Sequence, residues 1–301
     1  MRLSDDKKAF NEIVDEISQE TGILQTFIEK DYYAISILKE LISRNNKFVF
    51  KGGTSLSVCQ KVIERFSEDI DISYEDAHIT VGTRKAIKQI FFDSIEAASL
   101  KVSNAENIRS RRIFNRYLCP YESSWNKNND KVIVEWATQT PSYPIEKKIA
   151  QTIIGRYLDS INRHDLVDKY GLEPFEVKTI TKERTLVDKI FAICDYHISK
   201  KLDRQSRHIY DIYHLLQYVD LDDNLITLFL KVREDRKPLD NTYSSKDDVQ
   251  VSSLLEELIN EETYKKDYNS NTFNLLYDHL KYEDCIPSIR RIALFLKRHN
   301  L

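Results

Sequence analysis

The stretch FVFKGGTSLSVCQKVIERFSEDIDISY, residues 48–74, predicts a strand, a tight Gly-Gly turn, a helix and a second strand. Asp69 and Asp71 lie two residues apart in the second strand. Because side chains alternate along a strand, we expect both carboxylates on the same face of a sheet. Two neighbouring carboxylates repel each other unless a cation lies between them, and Mg²⁺ prefers such hard oxygen ligands. The pair is therefore a candidate metal site.

The turn Gly52-Gly53-Thr54 lies between the first strand and the helix. A helix N-terminus offers free backbone N–H groups and a partial positive charge, and glycine lets a phosphate approach the backbone closely. The stretch thus combines a candidate phosphate-binding turn with a candidate metal-binding pair. That combination is typical of many enzymes that act on phosphates.

A third carboxylate, Glu135, interrupts the apolar run Val132-Ile133-Val134 before Trp136. An ionisable group in such a run is costly to bury unless it is paired or bound to a metal. Glu135 is therefore a candidate third metal ligand on a neighbouring strand. The alternative is that it faces solvent from an edge strand.

The composition sets the class of protein. A chain of 301 residues can form one large domain or two smaller ones, and six glycines with six prolines favour many helices and few long loops. The net charge of −3 gives no overall basic excess for nucleic-acid binding, although a local basic groove would not change this sum.

The cysteines and the N-terminus indicate a cytoplasmic protein. Cys59, Cys119, Cys194 and Cys285 are far apart and form no CxxC pair, so we expect reduced thiols. The start MRLSDDKKAF lacks the apolar core of a signal peptide. No run approaches the roughly 20 apolar residues that cross a bilayer, so we expect no membrane segment.

The periodicity predicts a mixed α/β part and then a helical part, with the change near residue 180. In the first part, helices are predicted at about 4–18, 24–43, 83–99 and 145–158, and strands at about 112–121, 131–137 and 175–180. The polar turn 125–130 predicts a hairpin between the first two of these strands. In the second part, helices are predicted at 181–199, with Thr181 as N-cap, at 205–218, and around 225–232, 249–259, 272–280 and 287–298.

Five segments, in this order, resemble the motifs of one family. They are IEKDYY at 28–33, KGGTSL at 51–56 with RFSEDIDI at 65–72, VIVEWAT at 132–138, ERTLVDK at 183–189 and RHIYDIYHL at 207–215. The chain resembles the AbiEii/AbiGii toxin family of nucleotidyltransferase-like proteins, which includes the toxins of type IV and MenT-type toxin–antitoxin systems. A single GGT or DxD is weak evidence, whereas five ordered segments are specific.

The resemblance implies an α+β fold. Residues 1–180 would form a polymerase β-like nucleotidyltransferase core with a mixed sheet, and residues 181–301 would form a helical domain. It implies that Gly52, Gly53 and Thr54 bind the nucleotide phosphates. Asp69 and Asp71, with Glu135 as a further candidate, would hold Mg²⁺, with Mn²⁺ as an alternative.

The resemblance also assigns residues of the helical part to the site. Lys189 would contact the triphosphate, and Asp211 would complete the site as a further metal ligand or a base. Arg65, Arg184 and Arg207 are candidates for phosphate contacts.

Several of these residues have structural alternatives. Lys189 lies in an amphipathic helix, where a lysine is usually solvated, and Asp211 follows Arg207 at the spacing of an ordinary i,i+4 ion pair. Residues 29–31, in the first of the five segments, would by default form a solvated helix face.

An arginine-rich segment is compatible with two interpretations. Arg109, Arg111, Arg112 and Arg116, near Tyr117 and Tyr121, could follow an RNA backbone. A solvated surface explains the segment equally well.

The resemblance implies a function: metal-dependent transfer of nucleotides from an NTP to an RNA acceptor. In the better-understood relatives this acceptor is the tRNA 3′ end. The protein would be a toxin with a cognate antitoxin encoded nearby. Two other functions stay open, namely nucleotide transfer to a protein hydroxyl and a non-catalytic binding module with the same fold.

Overall fold

A computed structural model describes residues 1–67, 69–76, 79–128 and 130–301. The chain divides into two compact units. The first comprises Met1–Cys59 and Glu68–Thr179, and the second comprises Gln60–Ser67 and Ile180–Leu301. Glu68 of the motif RFSEDIDI and Asn129 of the predicted turn lie outside the described residues.

The first unit is built on a mixed sheet. Its strands are β1 (Phe48–Lys51), β2 (Asp69–Tyr74), β3 (Phe114–Tyr121), β4 (Asp130–Ala137), β5 (Ile145–Ala150) and β6 (Phe175–Ile180). Their order is β3-β4-β2-β1-β6-β5. β1 pairs antiparallel with β2, and β3 with β4, whereas β2–β4 and β1–β6 are parallel. The predicted α+β fold with a mixed sheet is confirmed, and so is the β3–β4 hairpin.

The described part of the first unit also contains six α-helices. They are α1 (Lys7–Thr21), α2 (Gln25–Arg44), α3 (Gly52–Val58), α4 (Val81–Ala97), α5 (Ile153–Ser160) and α6 (His164–Tyr170). Ile70 and Ile72 of β2 are buried in one cluster with Leu38 of α2 and Phe91 of α4. Since side chains alternate on β2, Asp69 and Asp71 lie on the opposite face, as predicted.

The predicted helix at 145–158 is wrong in its first half. Residues Ile145–Ala150 form β5, an edge strand beside β6, and the helix begins only at Ile153. In a segment as short as IEKKIA the spacing of the apolar residues does not distinguish a helix from a strand, and pairing with the sheet decides the outcome. The later helix begins where the side chain of Thr152 accepts a hydrogen bond from Gly155 N.

The predicted solvated face at residues 29–31 is also wrong, because all three side chains make contacts inside the first unit. Glu29 accepts a hydrogen bond from the Ser123 hydroxyl, and Lys30 Nζ lies 3.1 Å from Asp130 Oδ1. Asp31 Oδ2 accepts a hydrogen bond of 2.6 Å from the backbone N–H at the start of α5, and burial raises its pKa to about 6. These contacts fix α2 against the β3–β4 hairpin and α5.

The second unit is helical. Its helices are α7 (Lys182–Ser199), α8 (Arg207–Leu215), α9 (Asp223–Arg236), α10 (Val251–Asn260), α11 (Lys265–Asp267) and α12 (Tyr282–Arg298). Thr181 caps α7 by accepting a hydrogen bond from Arg184 N, which confirms the predicted N-cap. No described helix is long and apolar enough to cross a bilayer.

The helix predicted around 272–280 does not form. A π-helical turn, Tyr268–Thr272, and a 3₁₀ turn, Phe273–Leu275, are followed by extended backbone at Leu276. Leu276 forms an isolated antiparallel bridge with Arg65, because the backbone of residues 275–277 pairs with that of residues 64–66. This pairing uses backbone groups that a helix would have satisfied internally.

An ion cluster ties the segment Gln60–Ser67 to the helices of the second unit. Arg65 Nε and Nη2 donate to the two carboxylate oxygens of Asp211 at 2.6 and 2.8 Å, and Lys189 Nζ donates to Asp211 Oδ2 at 2.5 Å. All three side chains are almost fully buried. We call Arg65, Lys189 and Asp211 the buried ion cluster.

The charges in this cluster depend on one another. Burial alone would raise the pKa of Asp211, but the positive charges of Arg65 and Lys189 outweigh this effect and hold the pKa well below its usual range. Removing one partner from a buried ion pair is much more costly than replacing the whole pair. Asp211 is thus a counter-charge that two buried cations, Arg65 and Lys189, share.

All four cysteines are buried and have free thiols. Cys59 and Cys119 belong to the first unit, and Cys194 and Cys285 to the second. Burial raises the pKa of Cys59, Cys119 and Cys285 to about 12, so these thiols stay protonated at neutral pH.

We expect Asp211→Asn to lower the free energy of unfolding by about 3–5 kcal/mol, because it removes the carboxylate charge that two buried cations share. Urea unfolding measures the loss. The exposed Asp203→Asn is the matched control, with an expected change within about 0.5 kcal/mol.

The acid dependence tests the same contact. The folded-state pKa of Asp211 is lowered, so the unfolded chain binds this proton first as the pH falls. The contribution of Asp211 is therefore present above about pH 4 and lost below it. As the pH falls below about 4, the free energy of unfolding should therefore decrease less in Asp211→Asn than in the parent protein. An equal decrease in both proteins would contradict the lowered pKa of Asp211.

Candidate active site

The first residue of α3, Gly52, holds a carboxylate close to the backbone. Gly52 has φ +76°, in the left-handed region that favours glycine, and directly follows β1. A Cβ atom at this position would lie 1.9 Å from Asp71 Oδ2. The space that a side chain would fill at residue 52 is therefore occupied by the Asp71 carboxylate.

Thr54 fixes the start of β2. Its hydroxyl donates a hydrogen bond of 2.6 Å to the backbone oxygen of Asp69, and its side chain is buried. The Thr54 side chain thus positions the strand that bears the two aspartates. The predicted binding of phosphates by Gly52, Gly53 and Thr54 concerns the backbone N–H groups and stays a prediction.

A row of four charged residues crosses the sheet beside this turn. Strand register aligns Lys51 of β1 with Asp71 of β2, Asp71 with Glu135 of β4, and Glu135 with Arg116 of β3. Residues aligned in this way project from the same face of a sheet, and their strands are about 4.8 Å apart. The two acidic residues therefore lie side by side, with a basic residue on each flank.

Glu135 lies on an inner strand, because β4 is between β3 and β2. The alternative that it faces solvent from an edge strand is wrong. Its Oε1 atom accepts hydrogen bonds from Arg116 Nε at 2.7 Å and Nη2 at 2.6 Å. The cost of partly burying Glu135 is thus offset by an ion pair, and its role as a metal ligand stays a prediction.

The acidic residues on this face fit a hard divalent cation. Asp69, Asp71 and Glu135 come from two neighbouring strands and offer only oxygen atoms, the donors that Mg²⁺ and Mn²⁺ prefer. Both aspartates are half-buried, and Gly52 leaves room for the Asp71 carboxylate. These three residues are recognisable in the sequence, whereas the alignment of Lys51 with Asp71 and of Arg116 with Glu135 follows only from the strand register.

The residues predicted from the helical part meet in the buried ion cluster. Lys189 is buried, so the expectation of a solvated lysine is wrong. The ion pairs that Asp211 makes are with Arg65 and Lys189, whereas the expected partner was Arg207. Arg184 is buried and its Nε atom donates to Asp188 Oδ1 at 3.1 Å. The predicted contacts of these residues with a nucleotide stay predictions.

A second group of metal-ligand types lies in the second unit. The ligand atoms of His197, Glu257 and Glu261 lie within 4.8 Å of one another. His197 Nε2 is 3.2 Å from Glu257 Oε1, and its Nδ1 is 3.2 Å from Thr263 Oγ1. Protein partners thus satisfy both ring nitrogens, and hydrogen bonding explains the group without a metal. The sequence does not suggest this group, because His197 is far from Glu257 and Glu261 along the chain.

We expect Gly52→Ala to weaken metal binding, because the new methyl group displaces Asp71. A displaced ligand support typically costs about 10–100-fold in metal affinity. Mn²⁺ titration followed by electron paramagnetic resonance measures the effect.

Gly22→Ala is the matched control for that variant. Gly22 has a similar φ of +73°, but no atom lies within 4 Å of the added Cβ position. Both variants should lose about 1–2 kcal/mol of stability from the left-handed backbone. Equal Mn²⁺ affinity in the two variants would disprove the role of Gly52 in positioning Asp71.

Comparisons with known proteins give a family and a fold. The structure is similar to that of JHP933 from Helicobacter pylori, with a TM-score of 0.51, 13% sequence identity, and coverage of 92% of this chain and 94% of that chain. It is also similar to MenT4, a nucleotidyltransferase toxin of Mycobacterium tuberculosis, with a TM-score of 0.47, 17% identity, and coverage of 96% and 99%. No curated protein matches the chain.

The sequence profile described as nucleotidyl transferase AbiEii toxin, type IV toxin–antitoxin system, matches residues 36–292. This match includes the row of charged residues and the buried ion cluster. The chain therefore belongs to the AbiEii family of nucleotidyltransferase toxins of type IV toxin–antitoxin systems.

Proposed function

We propose that this nucleotidyltransferase uses a divalent metal, Mg²⁺ or Mn²⁺, to transfer a nucleotide from an NTP to an RNA acceptor, with the tRNA 3′ end as the preferred candidate. The observation that supports metal use is the alignment of Asp71 on β2 with Glu135 on β4. Asp69 lies two residues before Asp71 on β2, so its side chain projects from the same face of the sheet. Such a set of carboxylates is typical of sites that bind a metal–triphosphate complex.

The reaction follows from nucleotidyl transfer as a class. An acceptor hydroxyl attacks the α-phosphorus and releases its proton to solvent. A new oxygen–phosphorus bond forms, and the bond to the leaving pyrophosphate breaks. When bound, the metal supplies positive charge that stabilises the triphosphate and the leaving group. Asp69 and Asp71 would bind it in positions that Thr54 and Gly52 fix before the substrate arrives.

The other predicted residues have roles of different kinds. We propose that the backbone N–H groups of Gly52, Gly53 and Thr54 contact the phosphates, because the Thr54 hydroxyl already binds Asp69. For Lys189, Asp211 and Arg65, the mutual ion pairs support a structural role. The resemblance predicts for them an additional role toward the triphosphate, which would appear as an increase in KM for NTP in Lys189→Met.

The biological setting is part of the proposal. We propose that residues 1–180 form the nucleotidyltransferase core, that residues 181–301 form a helical domain, and that a nearby gene encodes the cognate antitoxin. The proposed substrates, NTP and tRNA, are cytoplasmic, so we propose the same location for the protein. Growth inhibition that the neighbouring gene reverses would support the toxin role.

We expect Asp69→Asn and Asp71→Asn to reduce label transfer from radioactive NTP to total tRNA about 100-fold or more, because each removes a charged metal ligand. The assay contains Mg²⁺ and each of the four NTPs in turn, and EDTA should abolish the transfer. Asp76→Asn is the matched control. This residue lies just after β2, and its ion pair of 2.8 Å with Lys47 is exposed, so activity should be retained.

Three results would contradict the proposal. They are no transfer by the folded parent with any NTP, transfer that persists in Asp69→Asn, and transfer that needs no divalent metal. Label on a protein hydroxyl and not on RNA would favour the alternative acceptor. Absence of Mg²⁺-dependent NTP binding would favour the non-catalytic module.

A further inference from the structure

The arginine-rich segment at residues 109–116 of the first unit has an exposed apolar centre. Arg109, Arg111, Arg112 and Arg116 are all exposed. Tyr117 and Tyr121, the aromatic residues expected to accompany them, are 1% and 6% exposed, so they cannot stack on a ligand. The exposed apolar side chains are Ile113, at 43%, and Phe114, at 38%.

The backbone of this segment is fixed by buried groups. The side chain of Asn115 is buried, accepts a hydrogen bond from Arg109 N at 3.0 Å and donates one to Arg109 O at 3.1 Å. Ile108 is buried in the core of the unit, and Lys88 Nζ donates to its backbone oxygen at 3.1 Å. Phe114 and the arginines therefore project from a fixed loop, which lowers the ordering entropy of binding.

Among the residues that the structure describes, the arginines before β3 have no acidic partner. Arg109 and Arg112 donate to the backbone oxygens of Ile108 and Asn107, both at 3.3 Å. Arg111 makes no side-chain hydrogen bond or ion pair with any residue that the structure describes. The guanidinium groups of these arginines therefore face solvent and can donate hydrogen bonds to a phosphate.

The segment is continuous with the row of charged residues. Phe114 and Arg116 lie on one face of β3, the face that Glu135 and Asp71 share. Two strand spacings, about 10 Å, separate Arg116 from Asp71 across the sheet. A ligand bound over Phe114 and Arg116 would therefore extend toward the candidate metal ligands.

We propose that residues 109–116 bind the single-stranded 3′ end of an RNA acceptor, with Phe114 stacking on a base and Arg111 and Arg112 contacting phosphates. Exposed aromatic residues among basic ones are the usual means of binding single strands without base specificity. A protein partner fits less well, because an interface of stable size needs a larger apolar centre than Ile113 and Phe114 provide. This inference rests on the proposed transfer to RNA.

Binding is tested apart from catalysis. The Asp69→Asn protein is titrated, without NTP, into a fluorescent single-stranded RNA and into fluorescent tRNA, and anisotropy gives Kd. Phe114→Ala should weaken binding about tenfold, as expected for loss of one base–aromatic stack, and Phe114→Trp should restore it. Circular dichroism melts verify that each variant is folded.

The salt dependence tests the arginines. Arg111→Gln with Arg112→Gln should reduce the slope of log Kd against log salt by about 0.7 for each lost phosphate contact. Arg290→Gln with Arg291→Gln is the matched control. These two exposed arginines of α12 also have no ion-pair partner among the described residues, and their loss should leave the slope unchanged.

The outcomes separate this inference from the proposed function. Weaker RNA binding in the Phe114 and Arg111/Arg112 variants, with the α12 control intact, supports the surface. Unchanged RNA binding in these variants, or an equal loss in the α12 control, overturns it even if the parent transfers nucleotides to RNA. If the Phe114 and Arg111/Arg112 variants bind RNA as the parent does but no longer label a protein acceptor, the inference is also overturned. The surface would then bind a protein.

Discussion

The second unit depends on one carboxylate that balances two buried cations. Asp211 accepts hydrogen bonds from Arg65 and Lys189, and none of the three charges would be tolerable alone in that environment. Three of the segments that resemble the toxin family, at 65–72, 183–189 and 207–215, each contribute one member of this cluster. The contact explains why these segments occur together in one chain. Arg65 lies only four residues before Asp69, so the ion pairs that hold residues 60–67 are close in sequence to the strand that carries the two candidate metal ligands.

In the first unit, two neighbouring carboxylates are stabilised by basic residues on the adjacent strands. Asp71 and Glu135 are neighbours in the sheet, and each has a basic residue on its other side, Lys51 or Arg116. Alternating signs along a row of strands reduce the repulsion between the two carboxylates without removing either. Gly52 then leaves the space that the Asp71 carboxylate occupies. The acidic residues are thus held in place by backbone, glycine and neighbouring charges, and so need little rearrangement to bind a cation.

Features determined by local chemistry could be predicted from the sequence. The common face of Asp69 and Asp71 follows from strand alternation, and the start of α7 follows from the N-cap Thr181. Features that depend on distant partners could not. The segment IEKKIA at 145–150 becomes a strand because β6 is beside it, and Asp211 pairs with Arg65 because residues 60–67 belong to the helical unit. Likewise, whether Phe114 or Tyr117 faces solvent depends on which face of β3 packs on the core. The spacing of residues within the strand does not decide this.

Each unit contains two buried thiols, and their alkylation rates measure how readily that unit unfolds. Cys59 and Cys119 are protected in the first unit, and Cys194 and Cys285 in the second. A protonated, inaccessible thiol reacts with an alkylating reagent only after the surrounding structure opens. The order in which the four cysteines become alkylated under mild denaturant, read by mass spectrometry of peptides, therefore indicates whether the first unit and the helical unit unfold together or one after the other.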